Sequence, residues 1–357
     1  TAWAETVALP PQDATLHIEG GAATPVPGQL GYSLDVEATL AALRADPSAA
    51  LADGYLQLVM TPIAPRIGDA TPAVAEAERL IHSPLVITAY DPVTDERFEW
   101  AVPPEVIGSW LTVAAADDGL VVVVDEDQLA AYLDEQGRTL GGGRFVEAAE
   151  NAGPLSEALR TGATPTVIVR HSPTIYVVQG GDTLIAVSWR VGIPYWMILE
   201  ANPGIDENNL TPGQELAIPS KDELLPLPVV PNKRIVLSIS EQHLWAYENG
   251  ELVYDFVIST GIDRSPTQPG VFQVQTHELN AYASAWDLWM PHFMGIYEAW
   301  PGFMNGLHGL PTLSSGYVLW ADILGSPASY GCIILDLPDA ETLYDWAEQG
   351  VVVEITP

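Results

Sequence analysis

Between Pro219 and Pro231 the chain places prolines at 219, 226, 228 and 231. Proline has no N–H to give a β-ladder and its ring fixes φ, so this stretch can neither continue a sheet nor run as a helix. It predicts a stiff linker over residues 220–231. A second break falls at His171-Ser172-Pro173. The two breaks predict a multi-domain α+β chain: an α+β domain over 1–172, a small βααβ domain over 174–219, and a mainly-β domain over 232–357. With 357 residues, 48% of them apolar, there is material for more than one core.

Charge narrows the partners. Thirteen Lys+Arg against 47 Asp+Glu give a formal net charge of −34, and Lys221 and Lys233 are the only lysines. A surface that tracks phosphates needs clustered cations, so no nucleic-acid partner is expected. No stretch reaches the roughly 18 uncharged apolar residues of a membrane-spanning helix. The longest candidate, Trp100 to Ala116, is interrupted by Pro103, Pro104 and Glu105. High acidity suits an exported protein that must stay dispersed, and a first residue of Thr1 fits a trimmed export signal as well as a cut end. Cys332 is the single cysteine. That excludes an intrachain disulfide and a thiolate zinc cluster, and the acidic run Asp125-Glu126-Asp127 reads as helix capping, so neither a metal nor a cofactor is expected.

In the first domain Asp35 is placed to cap a helix over 36–44, and Thr71-Pro72 starts another. Strands are predicted at 55–60, 85–89, 120–124 and 166–169, the last two as β-branched runs suited to burial. The middle block reads strand, helix, helix, strand. Tyr176 to Val178 enters the turn Gly180-Gly181-Asp182-Thr183-Leu184, where Asp182 is expected to accept the first helical N–H groups; helices run to Gly192 and over 195–200, and Leu216 to Ile218 closes the unit.

The last block is strand-like. Ile235 to Ile239, Leu244 to Tyr247 and Leu252 to Ile258 form an antiparallel set around the tight-turn pair Asn249-Gly250, and Val271 to Val274 resumes it. A long loop is then expected to gather Trp286, Trp289, Phe293, Tyr297, Trp300 and Phe303 as a lid, with His292, Trp289 and Trp300 lining a pocket. Two short segments follow, Gly306-Leu307-His308-Gly309 and Ser329-Tyr330-Gly331-Cys332-Ile333. A free thiol is only a few per cent ionised at neutral pH, so a nucleophilic Cys332 needs an imidazole such as His308, and Gly331 permits a turn that aims successive N–H groups inward. From these residues alone, an inert buried thiol is the competing reading.

Three resemblances sharpen this. Tyr32-Ser33-Leu34-Asp35, Ala77-Glu78-Arg79-Leu80 and Ser109-Trp110-Leu111 are similar to the peptidoglycan-binding domain found beside cell-wall crosslinking enzymes. Gly181-Asp182-Thr183-Leu184, Asn202-Pro203-Gly204-Ile205 and Leu210-Thr211-Pro212-Gly213-Gln214-Glu215-Leu216 resemble a LysM module. That implies binding of N-acetylglucosamine-containing glycan between the turn Gly181, Asp182, Thr183, Leu184 and the loop from Ile205 to Leu210. Residues 232 to 355 resemble an L,D-transpeptidase catalytic domain of the YkuD type. His308-Gly309 and Ser329-Tyr330-Gly331-Cys332-Ile333 fill its signature, and Ser259-Thr260-Gly261, Pro269-Gly270-Val271-Phe272 and Met290 to Met294 match its supporting segments.

The resemblance implies Cys332 as nucleophile, His308 as base, the Gly309 carbonyl fixing the imidazole, Ser329, Tyr330 and Gly331 forming the oxyanion loop, and peptidoglycan strands and stem peptides as partners. It places the chain in the cell wall or outside the cell. Tyr330 stands where many members have His, and Ile334 where Arg or Asn commonly follows. The alternatives are an L,D-carboxypeptidase, with water as acceptor, and a catalytically weakened, wall-bound or self-assembling envelope protein.

Overall fold

In a computed structural model, residues 2–48, 54–117, 119–319 and 322–357 are described. The fold is multi-domain α+β and divides into two compact units, one of residues 1–88, 99–136 and 147–167, the other of 89–98, 137–146 and 168–357.

In the first unit Asp35 caps Val36–Ala45 by accepting from Ala38 N at 2.8 Å, and Thr71–Ile81 begins at the predicted Thr-Pro start. The latter helix buries Ala73, Ala77, Leu80 and Ile81, and its Glu78 accepts from Ala23 N in the hairpin Thr15–Glu19/Ala22–Val26. Two expectations fail. The strand predicted over 55–60 lies at Met60–Ile63, where it pairs with Gly31–Leu34, while Tyr55, Leu56 and Leu58 are exposed. The apolar run there has no second face to bury. Gly119–Val124 is a strand, but not a buried one: it pairs only with Leu111–Ala116, so Val122 and Val124 are covered and Val121 and Val123 face outward. A two-stranded ribbon has one covered face whatever its β-branched content.

In the second unit the middle block is a βααβ module, Thr174–Val177, Leu184–Val191, Tyr195–Ala201 and Glu215–Ile218, whose two strands pair antiparallel. The helix cap is Thr183, not Asp182: Thr183 Oγ1 accepts from Ala186 N at 3.2 Å. Asp182 instead folds back, accepting from Tyr176 O–H at 2.7 Å and Gln179 N at 2.8 Å and pairing with Arg190 at 3.0 Å. It tightens the turn that precedes the helix.

The C-terminal domain is two five-stranded sheets. The first has the order Glu251–Val257, His243–Glu248, Lys233–Ser238, Val352–Thr356, Gly270–Gln273, parallel only at the 233–238/352–356 pair. Asn249 and Gly250 both take positive φ in its tight turn, as predicted. The second runs Thr276–Ala283, Leu288–Trp300, Phe303–Gly309, Ile333–Leu335, with Thr312–Leu313 added to Leu288–Trp300. The stretch expected to be a long aromatic loop is therefore part of a three-stranded antiparallel meander, Thr276–Ala283, Leu288–Trp300 and Phe303–Gly309. Proline, glycine and paired aromatics hid its strand pattern, but pairing on both sides of Leu288–Trp300 satisfies its backbone, which a loop could not do under cover. Ile235, Leu237, Phe272, Met294, Leu307, Ile333 and Val353 fill the core, and Leu184, Val187, Ile198 and Leu216 of the βααβ module belong to the same cluster.

The two pieces are fixed to each other. Trp196 donates its indole N–H to Glu298 O at 2.9 Å, Ser188 Oγ donates to Gln268 Oε1 at 3.0 Å, and a Cβ on Gly270 would meet Gly192 O at 2.7 Å. The backbones touch there because neither position carries a side chain.

The proline-rich segment is stiff but not free. Leu224 and Leu225 are buried, and Gln273 exchanges bonds with the Leu227 backbone at 2.8 and 3.0 Å. Its Asp222 Oδ1 lies 3.2 Å from His171 Nδ1, while His171 Nε2 lies 3.2 Å from Asp91 Oδ2, which Arg144 also approaches. Burial alone would lower the imidazole pKa; the hydrogen bonds and charges of Asp222 and Asp91 outweigh it and raise it to about 9. Against an ordinary value near 6.5, that pairing stabilises the fold fully below about pH 6.5 and is lost as pH rises through about 9. His171→Gln is therefore expected to cost about 2 kcal/mol more at pH 6 than at pH 9.5. Urea midpoints at the two pH values read this out, and equal losses would refute the pairing.

Candidate active site

The second sheet sets up the site. Phe303–Gly309 and Ile333–Leu335 pair in parallel, with His308 opposite Ile334, so the residues entering Ile333 arrive beside the His308 strand. Cys332 and His308 consequently line one cavity of about 530 Å³, together with Ser329, Tyr330, Ile334 and Phe303. The tip of the hairpin, Ala283 to Leu288, contributes to its wall, and Trp286 meets Tyr330 at 6.3 Å and Phe303 at 5.5 Å between ring centres.

His308 is buried, and its Nδ1–H donates to Gly309 O at 2.7 Å, which fixes the tautomer and leaves Nε2 as the proton acceptor. Burial pushes the imidazole pKa down to about 4, against the pull of that carbonyl, and pushes the Cys332 thiol up to about 11, against a backbone contact with Gly306. Sequence chemistry suggested a thiolate maintained by a neighbouring imidazole. Both shifts run against a resting thiolate–imidazolium pair, because enclosure disfavours each charged form.

The loop before Cys332 is tied on both sides. Ser329 Oγ donates to Cys332 O at 2.6 Å and accepts from Gly331 N at 3.0 Å; Thr267 Oγ1 donates to Gly331 O at 2.9 Å, and Ser265 Oγ to Tyr330 O at 2.9 Å. Gly331 sits at φ +114°, which L side chains rarely adopt. Its N–H is spent on Ser329, so this amide of the expected oxyanion loop is already engaged. Tyr330 projects 40% exposed, its O–H accepting from Arg264 at 3.1 Å.

Three expected pocket residues separate here. Trp300 lines the cavity, but Trp289 and His292 do not. Leu288 and Met290 line it, while Trp289 between them packs, tilted, against the cavity-lining Tyr282 at 4.5 Å and donates to Ser314 Oγ. His292, at φ +55°, lies against Tyr344 of the helix Leu337–Trp346. His277 also stacks on Tyr344, at 3.8 Å.

Asn305 escaped the sequence reading. It is 2% exposed; its Oδ1 lies 3.6 Å from Cys332 Sγ and its Nδ2 donates to Tyr297 O–H at 3.1 Å. The signal was there: a lone amide inside an apolar strand must find partners, because a buried polar group without one is costly. A polar atom reaches the thiol from this strand, while Ile334, wholly buried, joins the cavity wall and pairs its backbone with Ser259 at 2.8 and 2.9 Å.

On the βααβ module, Asp182, Thr183, Leu184 and Leu210 line a concavity of about 270 Å³ with Ile185, Tyr195, Glu207 and Asn208. Ile205 packs against the core instead, and Gly181 lies at the turn without lining the hollow.

Residues 232–355 match the L,D-transpeptidase catalytic domain family, residues 176–219 the LysM domain, and residues 2–50 the "Putative peptidoglycan binding domain" family. The chain is 26% identical over 183 residues to the "Putative L,D-transpeptidase YkuD" of Bacillus licheniformis, covering 51% of this chain and 99% of that protein. It is 27% identical over 124 residues to the "Putative L,D-transpeptidase YciB" of Bacillus subtilis, covering 31% and 59%. Among solved structures, an Enterococcus faecium L,D-transpeptidase aligns over 79% of this chain and 98% of its own at 19% identity and a TM-score of 0.35, too loose to transfer any geometry. The chain thus carries a C-terminal L,D-transpeptidase catalytic domain, a LysM domain in the middle and an N-terminal peptidoglycan-binding domain.

Proposed function

We propose that this chain is a peptidoglycan L,D-transpeptidase acting through a Cys332 thioester with His308 as its base. The observation that carries the reading is the shared cavity of Cys332 and His308, with the imidazole tautomer fixed by Gly309. Because both shifts run against a resting ion pair, the Sγ proton passes to His308 Nε2 as sulfur bonds the carbonyl carbon of the third stem residue, not before. The C–N bond to the terminal D-alanine then breaks, its amine taking the proton back from the imidazolium. An amine from a neighbouring stem attacks the thioester carbonyl and gives a proton to His308; the C–S bond breaks, the leaving sulfur takes that proton from the imidazolium, and the two stems are left joined with the thiol restored. In this reading the Cys332 and Tyr330 N–H groups receive the oxyanion, where loss of one donor costs about 3 kcal/mol of barrier.

The remaining modules support a wall substrate. The concavity beside Thr183 and Leu210 takes N-acetylglucosamine-containing glycan, and the N-terminal domain holds the chain to peptidoglycan; both would retain the enzyme at an exported, wall-bound location. A stem tetrapeptide mixed with the chain is expected to add the mass of the peptide less D-alanine at Cys332. Its rate should be flat from about pH 5 to 9 and fall as pH drops through about 4, where His308 takes its proton from solvent. An unmodified mass would favour the non-enzymatic envelope protein, and rapid loss of the adduct to water without added amine would favour the carboxypeptidase.

A further inference from the structure

A second cleft, of about 330 Å³, lies between the LysM module and the catalytic domain. Ile185, Trp189 and Tyr195 form its module side, and Tyr297, Trp300 and Tyr330 are among the walls opposite. Ile185 and Tyr195 also line the LysM concavity, while Trp300 and Tyr330 also line the Cys332 cavity. Three hollows therefore succeed one another, each sharing two side chains with the next. The module cannot swing to break this series, since it shares a core with the catalytic domain and is tied by Trp196 to Glu298 and by Ser188 to Gln268.

The lining states what would fit. Ile185, Trp300 and Tyr330 are 50%, 43% and 40% exposed, and Trp189 is half-buried without joining the core. Trp300 stacks on Phe303 at 4.1 Å and Arg264 lies over the Tyr330 ring, so half-exposed aromatic side chains meet Asp263, Arg264, Gln268 and Asn305 around one cleft, a mixture that suits a ligand with apolar C–H faces and hydroxyl or amide edges. A pyranose with acetamido groups has both. We propose that this cleft is a glycan subsite, occupied by the sugars next to those held in the LysM concavity, so that the strand read by the module is the strand whose stem reaches Cys332. The proposal rests on the glycan reading of the LysM concavity above.

The test uses the full chain with Cys332→Ala, so that nothing turns over, titrated by calorimetry with peptide-free peptidoglycan glycans of two, four and eight sugars. Affinity is expected to rise about 5- to 10-fold from the shortest to the longest, Trp189→Ala to erase that gain, and Trp189→Phe to keep most of it. Hydrogen exchange of the Trp189-containing chain with and without the octasaccharide supplies a reading independent of any variant: protection should extend from the Thr183 turn to residues 263–268. Equal affinity at all lengths, a length gain that survives Trp189→Ala, protection confined to the module, or no glycan binding at all would each overturn the subsite. Acyl transfer is scored separately, by the mass adduct of the wild-type chain with a sugar-free tetrapeptide, so loss of either reading is seen apart from the other.

Discussion

Cys332→Ala is expected to lower release of D-alanine from a stem tetrapeptide by on the order of 10⁴-fold or more, with His308→Ala close behind and the double variant no worse than the single ones. The reason is that both shifts run against a resting ion pair. With the thiol near 11 and the imidazole near 4, neither residue holds a stored reactive form that the other could fall back on. In the proposed mechanism sulfur attacks only while the imidazole accepts, so removing either partner removes the same step. Additive losses in the double variant, or an active His308→Ala, would mean that the two side chains act separately. Far-ultraviolet circular dichroism and a thermal melt accompany each variant, since both residues lie against the core.

Gly331→Ala is expected to cost about 2–4 kcal/mol of stability and to lower Cys332 acylation at least about 100-fold. Two independent penalties meet at this residue. Its φ of +114° is a conformation an L side chain resists, and an added Cβ would stand 2.4 Å from Asn305 Nδ2. Asn305 has nowhere to go, being buried, bonded to Tyr297 and in reach of the thiol. The loop must move, and with it the Ser329 and Thr267 bonds that aim Cys332. Adding Asn305→Gly removes the clash but not the strained φ, so the double variant should regain part of the lost melting temperature. A Gly331→Ala chain that melts and acylates like wild type would show that the loop is not held in this way.

Local chemistry was legible without coordinates. The caps and turns at Asp35, Thr71-Pro72 and Asn249-Gly250 needed only neighbouring residues, and the structure realises them where expected. The pairing of a His-Gly with a Gly-Cys segment came from resemblance to a family signature, since the residues alone left an inert thiol equally open. Where several side chains competed for one role, local reading failed: Thr183 displaced Asp182 as the cap once Tyr176 and Arg190 drew the carboxylate away.

Everything that depends on which strands meet had to wait for the tertiary structure. A β-branched run such as 119–124 is buried only if a second layer covers it, and an aromatic segment is a loop or a hairpin according to whether partners lie on both sides. The same holds at the site. Asn305 beside Cys332, the seating of Trp289 behind Tyr282 and the cleft shared with the LysM module arise from strand register and from packing between segments far apart in sequence. Resemblance to a known signature singled out the Gly-Cys segment and the His-Gly segment. The shift of both groups away from their charged forms is a property of desolvation, and desolvation exists only once the surrounding sheets have closed over them.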